Sequence, residues 1–248
     1  MRQLDLSEYE KRQVSGRGGR RDGAGRPKLT AAARKKRGPR PEPHSARARL
    51  RAYEPQHVVL RSNYALSTFR SDDVLDAIGE AAFAVSKHED TFRIVHFSLQ
   101  DSHIHLIVEA SDNVAMARGM KSFAGAVSKH INALITRLTG ERRRGSVFRD
   151  RYFVIALRTP RQVRNTIAYV LNNWRHHGAD RGSRARIDKY SSAITFDYWK
   201  ERDGGPRFQT PSGYFYPMTA WPRTYLLKEL WHRKYPRISI YEVPGGSE

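Results

Sequence analysis

Two alternating runs, "FRIVHFSLQ" at residues 92–100 and "HIHLIVEA" at 103–110, stand so close together that only a tight reversal fits between them. Apolar alternation of period two marks strands, and strands joined this closely pair as an antiparallel hairpin. A helical periodicity flanks the hairpin on each side. "SDDVLDAIGEAAFAVSKHED" (71–90) opens on Ser71 and two acids at an N-cap, then places Val74, Ile78, Ala81, Ala82 and Val85 on one face. "NVAMARGMKSFAGAVSKHINALITRLTG" (113–140) sets Met116, Met120, Phe123, Val127, Ile131, Leu134 and Leu138 on one stripe, with Gly140 as a stop. Before the first helix, "HVVLRS" (57–62) reads as a strand; after the second, "GSVFRDRYFVIAL" (145–157) reads as a loop entering a last strand. "TPRQVRNTIAYVLNNWRHHG" (159–178) is a further helix, with Pro160 in its first turn and Gly178 just past its end. The order β-α-β-β-α-β plus a helix predicts an α+β fold: a ferredoxin-like split βαβ antiparallel sheet with one added C-terminal helix.

The flanks read differently. Residues 1–52 carry 16 Lys or Arg against 5 Asp or Glu and are rich in Gly and Pro, the composition of a disordered basic arm. Its pieces "GRPK", with Arg26, and "RGPRP" resemble the Gly-Arg-Pro core of minor-groove-reading AT-hooks. Residues 53–178 form the predicted domain. Residues 179–248 form an extension in which only "TAWPRTYLLKELWHRKY" looks helical, its Trp221, Leu226, Leu227, Leu230 and Trp231 expected to pack on the domain or the extension to contact DNA.

Charge narrows the partner. A net +20 over 248 residues favours a polyanion, through long-range attraction and counterion release. The arm lacks an apolar face, which argues for nucleic acid over a membrane surface. No run of 18 apolar residues and no apolar leader is seen, so a soluble intracellular protein is expected. With no cysteine, thiolate catalysis and Cys-based zinc sites are excluded. Any metal must rest on His, carboxylate, amide or water.

Side chains two apart on a strand share a face, so His103 and His105 point together while Ile104, Leu106 and Val108 point into the core. The pair is thereby expected on a face away from the core. Two imidazoles roughly 6 to 7 Å apart can close on one divalent ion. In the last helix Val163, Ile167, Val170, Leu171 and Trp174 make the apolar stripe, and Asn165, Tyr169, Asn172, Asn173 and His176 cluster opposite. Solvated helix faces usually carry Lys, Glu and Arg. Here Tyr169 and Asn173, one turn apart, can reach one point, a candidate nucleophile beside a candidate metal ligand.

The triplet in "DSHIHLIVEA" and the later "AYVLNNWRHHG" resemble the single-tyrosine HUH transposases of the insertion-sequence-200 type, most closely the REP-associated tyrosine transposases of bacteria. The likeness runs over about residues 53–178. Some relatives carry Asn-Pro just after the tyrosine, where this chain has Asn172-Asn173-Trp174; both asparagines stay open as the third ligand, with the i+4 spacing favouring Asn173. The resemblance implies that His103, His105 and Asn173 hold Mg²⁺ or Mn²⁺ and that Tyr169 attacks a phosphate of single-stranded or hairpin DNA. The products would be a 5′-phosphotyrosine and a free 3′-OH. It implies a bacterial cytoplasmic protein at the nucleoid, working as monomer or homodimer, since in some relatives the tyrosine helix completes the partner's site.

Substrate contact is assigned to "GERRRGSVFRDRY", where Arg142, Arg143, Arg144, Arg149 and Arg151 interleave with Phe148 and Tyr152, and to Lys121 and Lys129 of the second helix. Two other readings are set beside this one. A non-catalytic binder of DNA or RNA hairpins would use the same sheet and basic residues. A two-histidine phosphoesterase would need two His-x-Ser/Thr triplets on facing strands, and "HFS" (96–98) has no counterpart.

Overall fold

The computed structural model describes residues 30, 42, 47–63, 68–86, 90–181, 186–202 and 218–245. Four antiparallel strands, β1 (Gln56–Arg61), β2 (Phe92–Leu99), β3 (His103–Ala110) and β4 (Phe153–Ala156), align in the order β2-β3-β1-β4. Helices α1 (Asp72–Ser86) and α2 (Asn113–Thr139) make the crossovers, and α3 (Pro160–His176) follows the last strand. This is the expected split βαβ arrangement. The hairpin β2–β3 is paired from Phe92↔Ala110 to Leu99↔Ile104, with a bulge between Ile94 and His96.

Local signals define the helix ends. The Asp112 carboxylate accepts from the Val114 and Ala115 amides to start α2, and Gly140 ends it in the left-handed region at φ 74°. Thr159 and Gln162 form a reciprocal capping box at the start of α3, with Pro160 in its first turn.

Apolar side chains then sort the helices onto the two faces of the sheet. Val58, Leu60, Ile104, Leu106 and Val108 pack with α1 and α2, along a stripe that is buried from Met116 to Ile131. The α2 stripe ends sooner than its periodicity predicts: Leu134 is half-buried and Leu138 is 71% exposed, because the helix outruns the sheet beneath it. On the other face Val95 and Ile107 pack with Val163, Ile167, Val170 and Leu171 of α3. The histidine face is thus covered by a second core rather than lying away from one.

Residues after α3 complete that second core. Phe196, Trp199, Ile238 and Ile240 pack there, together with Leu227 from a π-helical turn (Leu226–Leu230) and Trp231 from the short helix α4 (Trp231–Lys234). Burying a large apolar side chain stabilises by about 1.5–3 kcal/mol, so Trp199 and Trp231 are substantial anchors. Trp221, expected to pack with them, is 78% exposed, because Pro222 and the turn carry it past the core edge. A buried Glu109 carboxylate holds the turn to β3, accepting from the Thr224 amide and hydroxyl, the Arg223 amide and the Arg93 guanidinium.

Most of the stretch read as a disordered arm lies outside the described residues, but its end does not. Leu50 packs against the first core, its amide donates to Asn113 Oδ1 at 2.7 Å, and the Arg47 guanidinium lies 3.5 Å over the Tyr152 ring. An apolar side chain and a ring partner suffice to hold these last residues. Among the described residues, no helix is long and apolar enough to cross a membrane.

Candidate active site

Three adjacent strand positions and one helix build the site. His57, His103 and His105 share the sheet face that α3 covers, since His105 pairs with Val59 and His103 with Arg61 across β1 and β3. Tyr169 descends from α3 onto this group: its ring centroid lies 5.2 Å from that of His105 and 6.0 Å from that of His57, both edge-on. His103 and His105 rings are 4.6 Å apart, and the His103 ring is 5.8 Å from His177 just past the helix. Tyr169, Asn173 and His177 follow one another at single-turn intervals. Because the first meets His105 and the last meets His103, the intervening Asn173 faces the same pair.

Hydrogen bonding separates the two asparagines. Asn172 Nδ2 donates to the Ser239 carbonyl at 2.9 Å, which commits it to the C-terminal segment. Asn173 is fully buried, and neither its Oδ1 nor its Nδ2 has a hydrogen-bond partner. His105 Nε2 is likewise buried and unpartnered. Orphaned buried polar atoms are costly, and an amide and an imidazole without partners are donor types that a divalent ion takes. Among the described residues no group of three His, Asp or Glu side chains is placed to hold a metal by itself.

The other nitrogen of His105 is engaged. His57 Nε2 lies 3.0 Å from His105 Nδ1, with the two rings stacked at 5.2 Å. His103 Nδ1 lies 3.3 Å from the Ser102 hydroxyl. Burial pushes all three imidazoles well below the ordinary histidine value: His57 to about 4, His103 to about 4 with help from His177 and Arg61, and His105 to about 2 with help from its imidazole neighbours. They are therefore neutral at physiological pH, with lone pairs available to a cation.

Sequence reading missed His57, whose "HVV" context is that of any buried strand. It also missed Arg61, exposed beside His103 at the end of β1. The basic loop meets the sheet at that end, where the Arg149 amide donates to the Arg61 carbonyl at 3.0 Å. Arg142 and Arg144 are exposed; Arg143 is tied back to Asn132 of α2, and Arg149 and Arg151 are half-buried. Phe148 does not serve as a stacking face: it is 6% exposed and packs on Phe69, because the loop needs an apolar anchor in the first core. Tyr152 has the Arg47 guanidinium over its ring. Lys121 and Lys129 are exposed on α2, which covers the sheet face opposite to the histidines. Arg26 lies outside the described residues.

Residues 55–173 match the family model described as "Transposase IS200 like". No curated protein matches the chain. Among solved structures, the chain is similar to a REP-associated tyrosine transposase bound to a REP hairpin, at 14% identity, with 74% of this chain and 93% of that one covered and a TM-score of 0.44. It is also similar to a candidate transposase of Deinococcus radiodurans, at 14% identity, with 47% and 85% covered and a TM-score of 0.35.

Proposed function

Because residues 55–173 match the IS200-like transposase family model, we propose that this chain is a transposase of that family and cleaves and rejoins single-stranded or hairpin DNA with Tyr169 as nucleophile. The observation that carries the reading is the seating of the Tyr169 ring against His105 while His105 Nε2 and the Asn173 amide stay buried without partners. His103, His105 and Asn173 would hold Mg²⁺ or Mn²⁺, which when bound supplies electrostatic stabilisation of charge on the phosphate oxygens.

The remaining chemistry belongs to the chain. Tyr169 Oη forms a bond to phosphorus as the bond from phosphorus to the 3′ oxygen breaks; the phenol proton is lost and the 3′ oxygen gains one. The products are a 5′-phosphotyrosine and a free 3′-OH, so the bond energy is kept for rejoining. Edge contacts with His57 and His105 fix the tyrosine ring, which limits the rotamers it must lose before attack. His176, with its ring centroid 6.4 Å from that of Tyr169, borders the phenol from the exposed side.

The test is incubation with labelled hairpin oligonucleotides carrying single-stranded flanks, taken from around the chain's own gene, with Mn²⁺ or Mg²⁺, on a denaturing gel beside Tyr169→Phe. A metal-dependent DNA–protein adduct absent from the variant supports the proposal. Retardation on a native gel with no adduct for any substrate or metal would reject it in favour of a non-catalytic hairpin binder.

A further inference from the structure

Beside Tyr169, on the β4 side of α3, lies a groove of about 1280 Å³. Its floor includes His57 and Ile155, one wall is the first half of α3 with Arg161, and the other wall is the segment Tyr235–Gly245 with Tyr241 and Val243. That segment is outside the matched family region and is strapped to α3 at three places. Arg164 pairs through both terminal nitrogens with the Glu242 carboxylate, Asn172 donates to the Ser239 carbonyl, and Arg175 Nε donates to the Ile240 carbonyl at 2.6 Å. A strap held by this many side chains of one helix forms a fixed wall.

The groove's surface is unusual for solvent. Ile155 is 45% exposed, Val243 52% and Tyr241 61%, side by side with the cationic Arg161. The Tyr241 ring is prepositioned, with the Arg175 guanidinium over it at 5.6 Å from the centroid, and still open. Rings and apolar faces next to arginine are what an unpaired nucleic acid strand requires: bases to stack, phosphates to neutralise. Duplex DNA hides its bases and makes no use of such rings.

We propose that the Tyr235–Gly245 strap is a binding wall for single-stranded DNA, with Tyr241 stacking an unpaired base of the strand that passes Tyr169. This rests on the reading of Tyr169 as the nucleophile, which makes the groove continuous with the scissile phosphate. It also gives residues after the family region a part in holding substrate.

The test uses the full chain carrying Tyr169→Phe, so that no strand is cut, and fluorescence anisotropy with labelled dT12 and with a 12-base-pair duplex. Tyr241→Ala is expected to weaken dT12 binding about tenfold, an effect that persists at high salt, while Tyr241→Phe binds like the parent and duplex binding is unchanged. Arg161→Ala is expected to reduce the salt slope by about 0.7, the value for one single-strand phosphate contact. Ultraviolet crosslinking of dT12 bearing 5-iododeoxyuridine should map to Tyr241. Unchanged dT12 affinity in Tyr241→Ala, with crosslinks mapping elsewhere, overturns the wall while leaving the Tyr169 chemistry intact. A change in sedimentation of Tyr241→Ala without a change in affinity overturns it in favour of a second copy of the chain in the groove. A parent that binds no single strand overturns the wall, while the Tyr169 reading is decided separately by the adduct assay on hairpin substrates.

Discussion

His57 Nε2 sits 3.0 Å from His105 Nδ1, a hydrogen bond between two strands in which one imidazole sets the tautomer of the other. If His105 offers the Nε2 lone pair to a cation, its proton must be on Nδ1, and His57 Nε2 is the acceptor that keeps it there. His57 is therefore a positioning residue for the candidate ligand.

His57→Leu should weaken Mn²⁺ binding roughly 10- to 100-fold, the usual cost of losing a partner behind a metal ligand. His57→Gln, whose amide oxygen can accept the same proton, should recover most of it. Calorimetric titration with Mn²⁺ measures this directly, and nitrogen NMR of the metal-free protein should show His105 protonated at Nδ1 only when residue 57 can accept. Equal affinity in all three proteins would remove the role.

The two neighbouring asparagines should separate function from stability. Asn173→Ala deletes a buried amide that has no partner, so folding should be unchanged or stabilised by about 1–3 kcal/mol while adduct formation is lost. Asn172→Ala breaks the bond to the Ser239 carbonyl and should lower stability by about 1–2 kcal/mol while leaving the metal affinity in place. Urea titration and Mn²⁺ titration of both variants decide; the opposite pattern would make Asn172 the third ligand.

Gly119→Ala is expected to destabilise, although alanine is the better helix former by about 1 kcal/mol. A Cβ there would lie 2.2 Å from the Phe92 ring, where α2 crosses β2 with no space between them. Overpacking of this kind costs about 1–3 kcal/mol. The double variant Gly119→Ala with Phe92→Leu should lose less than the two single costs added, by urea melts.

Acid should unfold the metal-free protein early. Burial pushes His96, beside Phe196 and the Ser192 hydroxyl, down from 6.5 to about 4, and His57 and His103 move the same way. Above pH 6.5 the folded and unfolded chains are both neutral at these positions. Between pH 6.5 and 4 only the unfolded chain takes up the protons, so stability present at neutral pH is lost as pH falls through this window. His96→Gln should flatten the fall by up to about 1.4 kcal/mol per pH unit. An unchanged slope in urea melts with chelator present would show that His96 is not held neutral.

Local chemistry decided much of this molecule before any tertiary contact. The alternation of 92–100 and 103–110, the Gly140 stop and the α3 stripe each act over a few residues, and each appears where the sequence alone places it. The same holds for the face shared by His103 and His105, because alternation is a property of one strand. What one strand cannot say is what stands across from it. His57 became part of the site only because β1 lies beside β3 in this register, and a residue 48 positions away in sequence leaves no local signature. The different partners of Asn172 and Asn173, the burial of the histidine face and the exposure of Trp221 follow from where α3 and the C-terminal segment pack, and the exposure of Leu138 from α2 running past the sheet. Periodicity states which side chains share a face; only the packed fold decides whether that face meets a core, solvent or a partner for its last unpaired nitrogen.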